Sequence, residues 1–300
     1  MVEETLHVPV MLREVIDYLD PKPGQVIVDA TLGTGGHSLE ILKRITPGGK
    51  LIGIDRDEDS LIICRKRLSE FSGNCEFVHA NFVDLDQVME KLGIDKVDGI
   101  VFDLGISTYQ LKNVERGFSF QEDGPLDMRL DKSSYISAYD LVNNLNENEI
   151  SHMLWSFGQE RWHNRIAHLV VEERRNQPIS TTKELANLVM RAIPHRYRRG
   201  YYRIHPATRT FQAMRIAVNR ELEILESAIK KAVAILGKQA KICVISFHSL
   251  EDRVIKHTFR ALKAEGLIDI ITAKPMTPAP SEVAANPSSR SSKFRVAERI

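Results

Sequence analysis

Four short apolar runs, rich in β-branched residues, recur in the first third of the chain. They cover residues 25–31, 50–55, 75–80 and 97–105. Segments with helical spacing separate them, at residues 38–45, 59–68 and 84–92. Strands that alternate with helices predict a parallel sheet with right-handed crossover connections. The sequence therefore predicts an α/β fold with a Rossmann-like sheet.

The alternation stops near Ile106, and loop-like and then helical sequence follows up to Thr210. Capping boxes predict helix starts within this block, at Asn146 with Glu149 and at Thr181 with Glu184. We therefore predict a sheet domain that is interrupted by an inserted, mainly helical domain. The predicted boundaries are 1–106 and 211–300 for the sheet domain, and 107–210 for the insertion.

An apolar stripe with a 3.6-residue period begins at Phe211 and continues to Val233, before Gly237. This pattern predicts one long amphipathic helix. A strand at 241–248, a helix from about Glu251 and a last alternating run, KFRVAERI, follow it. These elements return the chain to the predicted sheet.

Bulk composition excludes several classes of protein. The 300 residues carry a net charge of +1, so overall charge does not indicate a nucleic-acid binder. The acidic beginning, MVEETLHVPVMLREV, lacks the apolar run of a secretory signal, and no run approaches the roughly 18 apolar residues of a membrane span. Cys64, Cys75 and Cys243 are far apart and odd in number. We expect a cytoplasmic protein with no structural metal and no membrane association.

A glycine-rich turn, with Gly33, Gly35 and Gly36, joins the first predicted strand to the first helix. Such a turn lets a ligand approach backbone N–H groups at a helix N-terminus. A dinucleotide fingerprint requires G-x-G-x-x-G, but Ser38 occupies the third site. The spacing D-A-T-L-G-T-G instead resembles the first motif of Rossmann-like methyltransferases, which bind S-adenosylmethionine. Asp29 then holds either the turn or the ligand's amino group, and an ordinary tight turn remains the alternative.

Two further acids end predicted strands. Asp55 follows Gly33 by 22 residues, where an acid accepts hydrogen bonds from both ribose hydroxyls of NAD or of S-adenosylmethionine. Asp103 ends the fourth strand, where amino-methyltransferases place an acid that orients an exocyclic amine. This chain lacks the two prolines and the aromatic residue that follow that acid. A helix cap is the alternative for each acid, and Phe82 either stacks on adenine or packs in the core.

Several long blocks carry a resemblance over nearly the whole chain. They include HVPVMLREV at 7–15, DATLGTGGHS at 29–38, DGIVFDLGIST at 98–108, RGFSFQEDGPLDMR at 116–129, HPATRTFQAMRIAVNREL at 205–222, ISFHSLEDR at 245–253 and NPSSRSSKFRVAER at 286–299. The chain resembles the bacterial MraW/RsmH-type methyltransferases, which modify N4 of a cytosine in small-subunit (16S) ribosomal RNA. Thr108 and Gln159 are small departures from the family pattern.

The resemblance implies a class I methyltransferase sheet, S-adenosyl-L-methionine as cofactor, and small-subunit ribosomal RNA or the assembled small subunit as partner. It implies cofactor contacts from Gly35, Gly36, His37, Asp55, Phe82, Asp103 and Gln110. Gly33 is also a predicted cofactor contact, on the basis of the glycine turn. We expect Asp103 to act also in catalysis. In-line methyl transfer mainly requires positioning of the amine, and it needs no metal.

An acid-free run from Arg191 to Arg220 contains eight arginines, with Tyr197, Tyr201 and Tyr202 among them. Arginine binds phosphate and aromatic rings stack on unpaired bases, although a charge run is often only a solvated face. The run predicts RNA-binding residues in the insertion: Arg196, Arg198, Arg199, Arg203 and Arg209.

Asp127, Arg129, Ser246 and His248 are further polar residues that either contact the target base or form buried structural hydrogen bonds. Two other functions stay open on the sequence alone. One is a nicotinamide-dependent dehydrogenase, which the broken dinucleotide fingerprint disfavours. The other is a non-catalytic RNA-binding assembly factor on a methyltransferase-like fold, which the intact glycine turn and strand-end acids disfavour.

Overall fold

The protein consists of two compact units, Met1–Ser107 with Leu222–Ile300, and Thr108–Glu221. The structure is a computed structural model, and it describes residues 8–198 and 205–300, apart from the side chains of Arg196 and Arg198. The inserted unit ends at Glu221, whereas the sequence predicts its end at residue 210.

Helices and strands alternate in the first segment of the chain. They are α1 (Leu12–Leu19), β1 (Val26–Asp29), α2 (Gly36–Ile45), β2 (Lys50–Asp55), α3 (Glu58–Arg67), β3 (Cys75–His79), α4 (Leu85–Leu92) and β4 (Val97–Asp103). The inserted unit contains α5 (Thr108–Lys112), α6 (Ala138–Asn144), α7 (Glu147–Gly158), α8 (His163–Glu173), α9 (Thr182–Ala192), α10 (His195–Arg198) and α11 (Ala207–Asn219). The last segment contains α12 (Glu221–Ile235), β5 (Leu236–Ser246), α13 (Ser249–Ala264), β6 (Ile268–Ile270), α14 (Pro280–Ala285) and β7 (Lys293–Arg299).

The strands form one sheet in the order β3-β2-β1-β4-β5-β7-β6. The strands β1 to β5 pair parallel with one another, whereas β7 pairs antiparallel with both β5 and β6. The predicted α/β, Rossmann-like sheet is therefore confirmed. The strands β2 and β3 are added on one side of β1, and β4 and β5 on the other, so the strand order reverses between β1 and β4. In open α/β sheets, ligands bind beside the carboxyl ends of the strands at such a point.

Each face of the sheet carries its own apolar core, because successive side chains of a strand point to opposite faces. Val28, Ile52 and Phe102 pack with the buried side of α12 on one face. Ile27 and Val101 pack on the other face with residues of α1, α2 and α3. Both cores fix the strands whose carboxyl ends carry the candidate site.

The predicted single helix from Phe211 to Val233 is wrong. The chain breaks at Arg220, which has a φ of 52° and separates α11 from α12. The Asn219 side chain donates to the Met128 carbonyl at 2.8 Å and accepts from the Leu130 N–H at 2.8 Å. The apolar stripe runs through the break because both helices bury one face, so its periodicity does not reveal a single left-handed residue.

The inserted unit is helical in its described part. Its two predicted capping boxes are confirmed: the Asn146 side chain accepts from the Glu149 N–H, and the Thr181 side chain accepts from the Glu184 N–H. Across residues 8–198 and 205–300, no helix combines the length and the apolar character needed to cross a membrane.

Candidate functional site

The glycine turn between β1 and α2 depends on two backbone positions that disfavour side chains. Gly33 has a φ of 51° and Gly35 a φ of 75°, in the left-handed region that glycine adopts readily. A Cβ atom on Gly35 would also lie 2.5 Å from Sγ of Cys64. The turn therefore requires small residues for its own packing, whether or not a ligand is bound.

Asp29 holds this turn to the start of α2. Its Oδ2 accepts a hydrogen bond from the Ser38 hydroxyl at 2.6 Å, and its Oδ1 accepts one from the Thr31 N–H at 3.2 Å. The residue is 2% exposed, and burial raises its pKa to about 6. These contacts explain both the acid before the first glycine and the serine where a dinucleotide fingerprint has its third glycine.

Asp55, at the end of β2, ties the same turn from the other side. Its Oδ2 accepts from the Gly33 N–H at 2.7 Å, and its Oδ1 accepts from the Asp57 N–H at 2.8 Å. Asp57, not Asp55, caps α3 by accepting from the Asp59 N–H. Burial raises the pKa of Asp55 to about 6. A carboxylate oxygen has two lone pairs, so each oxygen keeps one for a ligand hydroxyl.

Asp103, at the end of β4, lies beside β1 and α2. Its N–H donates to the Thr31 hydroxyl at 2.5 Å, which joins the carboxyl ends of β1 and β4. Its Oδ2 lies 3.5 Å from Nδ1 of His37, whereas its Oδ1 is buried and has no hydrogen-bond partner within the described residues. Burial, together with the charges of Asp29 and Glu251, raises the pKa of Asp103 well above its usual range.

The His37 ring is buried between Asp103 and the chain before α1. Its Nε2 lies 2.9 Å from the Val10 carbonyl oxygen, and burial lowers the pKa of His37 to about 4. The ring is therefore neutral near pH 7, and the carbonyl fixes its proton on Nε2, because a carbonyl oxygen only accepts. The lone pair of Nδ1 then faces Asp103.

The stretch that carries Val10 is held by the C-terminal part of the chain. The Glu282 carboxylate accepts from the Met11 N–H at 2.6 Å, and the Asn286 amide donates to the Val8 carbonyl at 3.0 Å. The sequence blocks at 7–15 and 286–299 thus meet near His37. Sequence reasoning did not find this contact, because nothing in either block indicates its partner.

Phe82 and Gln110 lie in different surroundings. Phe82 is partly exposed, packs against the core around Phe102, and meets the Phe102 ring edge-on at 5.8 Å. The structure thus shows its core contact directly. Gln110 is buried on α5 in the inserted unit, and its predicted cofactor contact stays a prediction.

The four polar residues with open roles all make structural contacts. Asp127 and Arg129 form a two-pronged ion pair inside the inserted unit, at 2.9 and 2.7 Å. Ser246 is fully buried at the end of β5. His248 caps α13, where its Nδ1 accepts from the Glu251 N–H at 3.3 Å.

The predicted RNA-binding arginines are only partly described. Arg209 is exposed and donates to the Gln159 carbonyl at 3.2 Å. Arg199, Arg203 and the side chains of Arg196 and Arg198 lie outside the described residues. Their role stays a prediction from the sequence.

Three carboxylates therefore lie at the carboxyl ends of the neighbouring strands β1, β2 and β4. Asp29, Asp55 and Asp103 all have raised pKa values, because burial disfavours their charged forms. A positively charged ligand lowers these pKa values and is attracted in return, whereas an anionic ligand is repelled. The arrangement suits a cation with hydroxyl groups.

Comparison with known families identifies the family of this chain. The family model described as the MraW methylase family matches residues 4–300. The chain belongs to the MraW methylase family. The resemblance drawn from the sequence blocks is thereby confirmed, and the methyltransferase class is confirmed at the level of the family.

Two relatives of this MraW-family chain are named "Ribosomal RNA small subunit methyltransferase H". The protein of Clostridioides difficile (strain 630) is 43% identical, over 98% of this chain and 99% of the relative. That of Geobacter sp. (strain M21) is 46% identical, over 99% of this chain and all of the relative. A solved putative methyltransferase from Streptococcus mutans, in complex with SAH, aligns over all of both chains with a TM-score of 0.44 and 11% identity. That likeness is distant and adds nothing to the family assignment.

Proposed function

We propose that this chain transfers a methyl group from S-adenosyl-L-methionine to the exocyclic N4 amine of a cytosine in small-subunit ribosomal RNA. Membership of the MraW methylase family supports the reaction class. The names of relatives at 43% and 46% identity, matched over nearly their full length, support the RNA substrate. The cytosine and its N4 atom rest on the sequence resemblance.

The buried carboxylates at the carboxyl ends of β1, β2 and β4 carry the cofactor proposal. S-adenosylmethionine has a positive sulfonium and a positive amino group, and it supplies an activated methyl group. A nicotinamide dinucleotide instead carries an anionic pyrophosphate. Asp29, Asp55 and Asp103 favour the cation. We therefore favour a methyltransferase over a dehydrogenase on electrostatic grounds as well as on the broken glycine fingerprint.

The residues around the glycine turn suit such a cofactor. Asp55 offers one free lone pair on each oxygen to two neighbouring ribose hydroxyls. Gly33 and Gly36 are partly exposed, whereas Gly35 is buried against Cys64, and the partly exposed Phe82 ring offers an apolar face to the adenine. His37 contributes through Asp103, since its ring is buried.

Asp103 is the residue that we assign to the amine. In its neutral form the proton lies on Oδ2, because the Nδ1 lone pair of His37 faces that oxygen. Oδ1, buried and without a partner in the described structure, is then the acceptor that an amine N–H requires. A hydrogen bond from the amine to Oδ1 orients the nitrogen lone pair for in-line attack on the methyl carbon.

During transfer the N4–methyl bond forms as the sulfur–methyl bond breaks, and the nitrogen then loses one proton. Oδ1 of Asp103 carries no proton in either form of the acid, so it orients the amine in both forms, and in the ionised form it accepts the proton that the nitrogen loses. A bound cation favours that ionised form by lowering the pKa of Asp103. N4 of a paired cytosine is engaged in a hydrogen bond, so the target base must be unpaired or flipped out.

The competing function is a non-catalytic RNA-binding assembly factor. Purified protein, isolated small ribosomal subunits and a methyl-labelled cofactor, followed by mapping of the labelled nucleotide, test the proposal. We expect label at N4 of one cytosine. RNA binding without any transfer of label would favour the assembly factor, and label on another atom or base would refute the N4 assignment. We place the reaction in the cytoplasm, where ribosomal subunits are made.

A further inference from the structure

Both tryptophans of the chain belong to one group of rings around the start of α8. Trp155, on α7, lies 5.3 Å from the His163 ring, with 42° between the two planes. Trp162 lies 5.3 Å from the Tyr197 ring of α10, with 48° between them. Trp162 and His163 are consecutive, so both ring pairs lie at the start of α8. We call these four residues the aromatic surface.

A cation lies within this group. The Arg161 guanidinium is 5.1 Å from the centre of the Trp162 ring and 5.3 Å from that of the Tyr197 ring. Arg161 is exposed, so its cation–π contacts hold the charge at the surface of the inserted unit.

An open cleft of about 440 Å³ also borders α8. Its lining residues are Asn164, Arg165, His168, Leu169 and Arg191. Arg191 is paired with Glu173 at 2.9 Å, and His168 lies 3.3 Å from Glu147. Arg165 is exposed and forms no ion pair or hydrogen bond with any described residue. We call these five residues the basic cleft.

Packing alone explains part of this arrangement. Trp162 and Tyr197 are partly buried, so they help to attach α10 to α8. Trp155 is different, because 56% of it is exposed while its neighbour Leu154 is fully buried. An exposed tryptophan beside a second ring pair, two exposed arginines and a cleft exceeds what the stability of the inserted unit requires.

We propose that the aromatic surface and the basic cleft bind single-stranded RNA, with bases on the rings and phosphates at the arginines. Aromatic rings stack on any unpaired base, and arginines track the backbone beside them. Double-stranded RNA offers no free base faces to Trp155. The proposal deepens the proposed function, on which it rests for the identity of the substrate.

The two tryptophans supply a direct readout, because both belong to the aromatic surface. The full-length protein is titrated with a single-stranded RNA oligonucleotide and with a duplex of equal length, and tryptophan fluorescence and affinity are measured. We expect the fluorescence to change with the single strand. Trp155→Ala should weaken binding by roughly 5- to 100-fold, the usual effect of losing one stacked base. Trp155→Phe should restore most of it.

Two further variants complete the test. Arg165→Ala should lower the slope of log affinity against log salt by about 0.7, as expected for one phosphate contact. Tyr135→Ala removes a 98% exposed ring elsewhere in the inserted unit and should leave affinity and slope unchanged. Thermal unfolding shows whether each variant is folded.

Wild-type affinity in both Trp155→Ala and Arg165→Ala would overturn the proposal, as would equal affinity for duplex and single strand. Normal oligonucleotide binding combined with lost association with ribosomal subunits would also overturn it, in favour of a protein partner. The proposed function fails separately. If wild type binds through Trp155 but transfers no methyl group, the surface stands and the activity does not.

Discussion

Asp103 and His37 lie side by side at the carboxyl end of the sheet, with Oδ2 of the acid 3.5 Å from Nδ1 of the imidazole. The Val10 carbonyl, 2.9 Å from Nε2, determines which ring nitrogen carries the proton. A backbone carbonyl from the N-terminal segment therefore determines that a nitrogen lone pair faces a carboxyl group that lies 93 residues further along the chain. The two oxygens of Asp103 therefore differ: in the neutral acid Oδ2 holds the proton, and Oδ1 is free to accept a hydrogen bond.

The first prediction concerns Asp103. Asp103→Asn preserves the shape of the side chain but removes the group that accepts the amine proton, so single-turnover methylation should fall about 100-fold or more. The measurement uses saturating cofactor and RNA, because cofactor affinity is also expected to fall. Asp98→Asn, at the exposed start of β4, is a control that should keep the wild-type rate. A wild-type rate in Asp103→Asn would refute the assigned role.

The second prediction separates a positioning role of His37 from a purely structural one. His37→Phe keeps an aromatic ring at this position but offers neither a donor to the Val10 carbonyl nor an acceptor to Oδ2 of Asp103. The protonated form of Asp103 then loses a partner, so its pKa should fall and the acid limb of the pH–rate profile should move to lower pH. The rate across pH and the unfolding temperature are both measured. A lower unfolding temperature with an unmoved acid limb would mean that His37 only packs.

The third prediction concerns Asp55. Asp55→Ala should weaken S-adenosylmethionine binding by roughly 10- to 100-fold, because two charge-assisted hydrogen bonds are lost and water partly replaces them. The change also leaves the Gly33 N–H without its acceptor, because in the wild-type protein this N–H donates to Asp55. Asp57→Ala is the matched control, since it removes the N-cap of α3 two residues later without removing a strand-end acid. Equal calorimetric affinities in the two variants would show that Asp55 does not bind the ribose.

The sequence identified the strand-end acids because their positions follow from the alternation of strands and helices. It left the role of Asp29 open, since a spacing of four residues does not show that Ser38 turns back to the carboxylate. It missed β6, whose three residues give no periodic signal, and the break at Arg220.

Contacts between distant segments could not be predicted from the sequence. The hydrogen bonds of Val10 to His37 and of Glu282 to Met11 depend on tertiary packing, and neither segment shows a local pattern that requires them. The neutral state of His37 follows from its burial, which only the structure supplies.

The fourth prediction concerns pH. The pKa values of Asp29 and Asp55 are about 6 in the folded protein, whereas an unfolded aspartate titrates near 3.9. The folded state therefore holds these protons more tightly. The free energy of unfolding should fall as pH rises from about 4 to about 6, by up to about 3 kcal/mol for each group, and then level off.

A bound cationic cofactor opposes this fall in the free energy of unfolding with rising pH, because the cofactor favours the ionised carboxylates. Cofactor binding should tighten as pH rises through about 6, so the cofactor should raise the unfolding temperature more at about pH 7.5 than at about pH 5. Unfolding scans with and without S-adenosylmethionine check this. An equal shift at both pH values would argue against carboxylate recognition of a cation.

The last prediction concerns the arginine run, and it rests on the sequence alone because these side chains lie outside the described residues. Replacing Arg196, Arg198 and Arg199 together with Ala should weaken RNA binding and lower the slope of log affinity against log salt by about 2, at roughly 0.7 for each phosphate contact with a single strand. Cofactor binding should survive, because the glycine turn and Asp55 belong to the other compact unit. Arg13→Ala removes a 90% exposed cation from that other unit and should leave the slope unchanged.

Three outcomes of this salt titration have different meanings. A reduced slope with intact cofactor binding supports phosphate contacts from the arginine run. An unchanged slope in the triple variant would mean that these arginines form an ordinary solvated face. Loss of cofactor binding together with RNA binding would instead show that the inserted unit and the sheet unit do not fold independently. In that case the salt slope has to be measured on Arg165→Ala, whose side chain makes no ion pair or hydrogen bond with described residues.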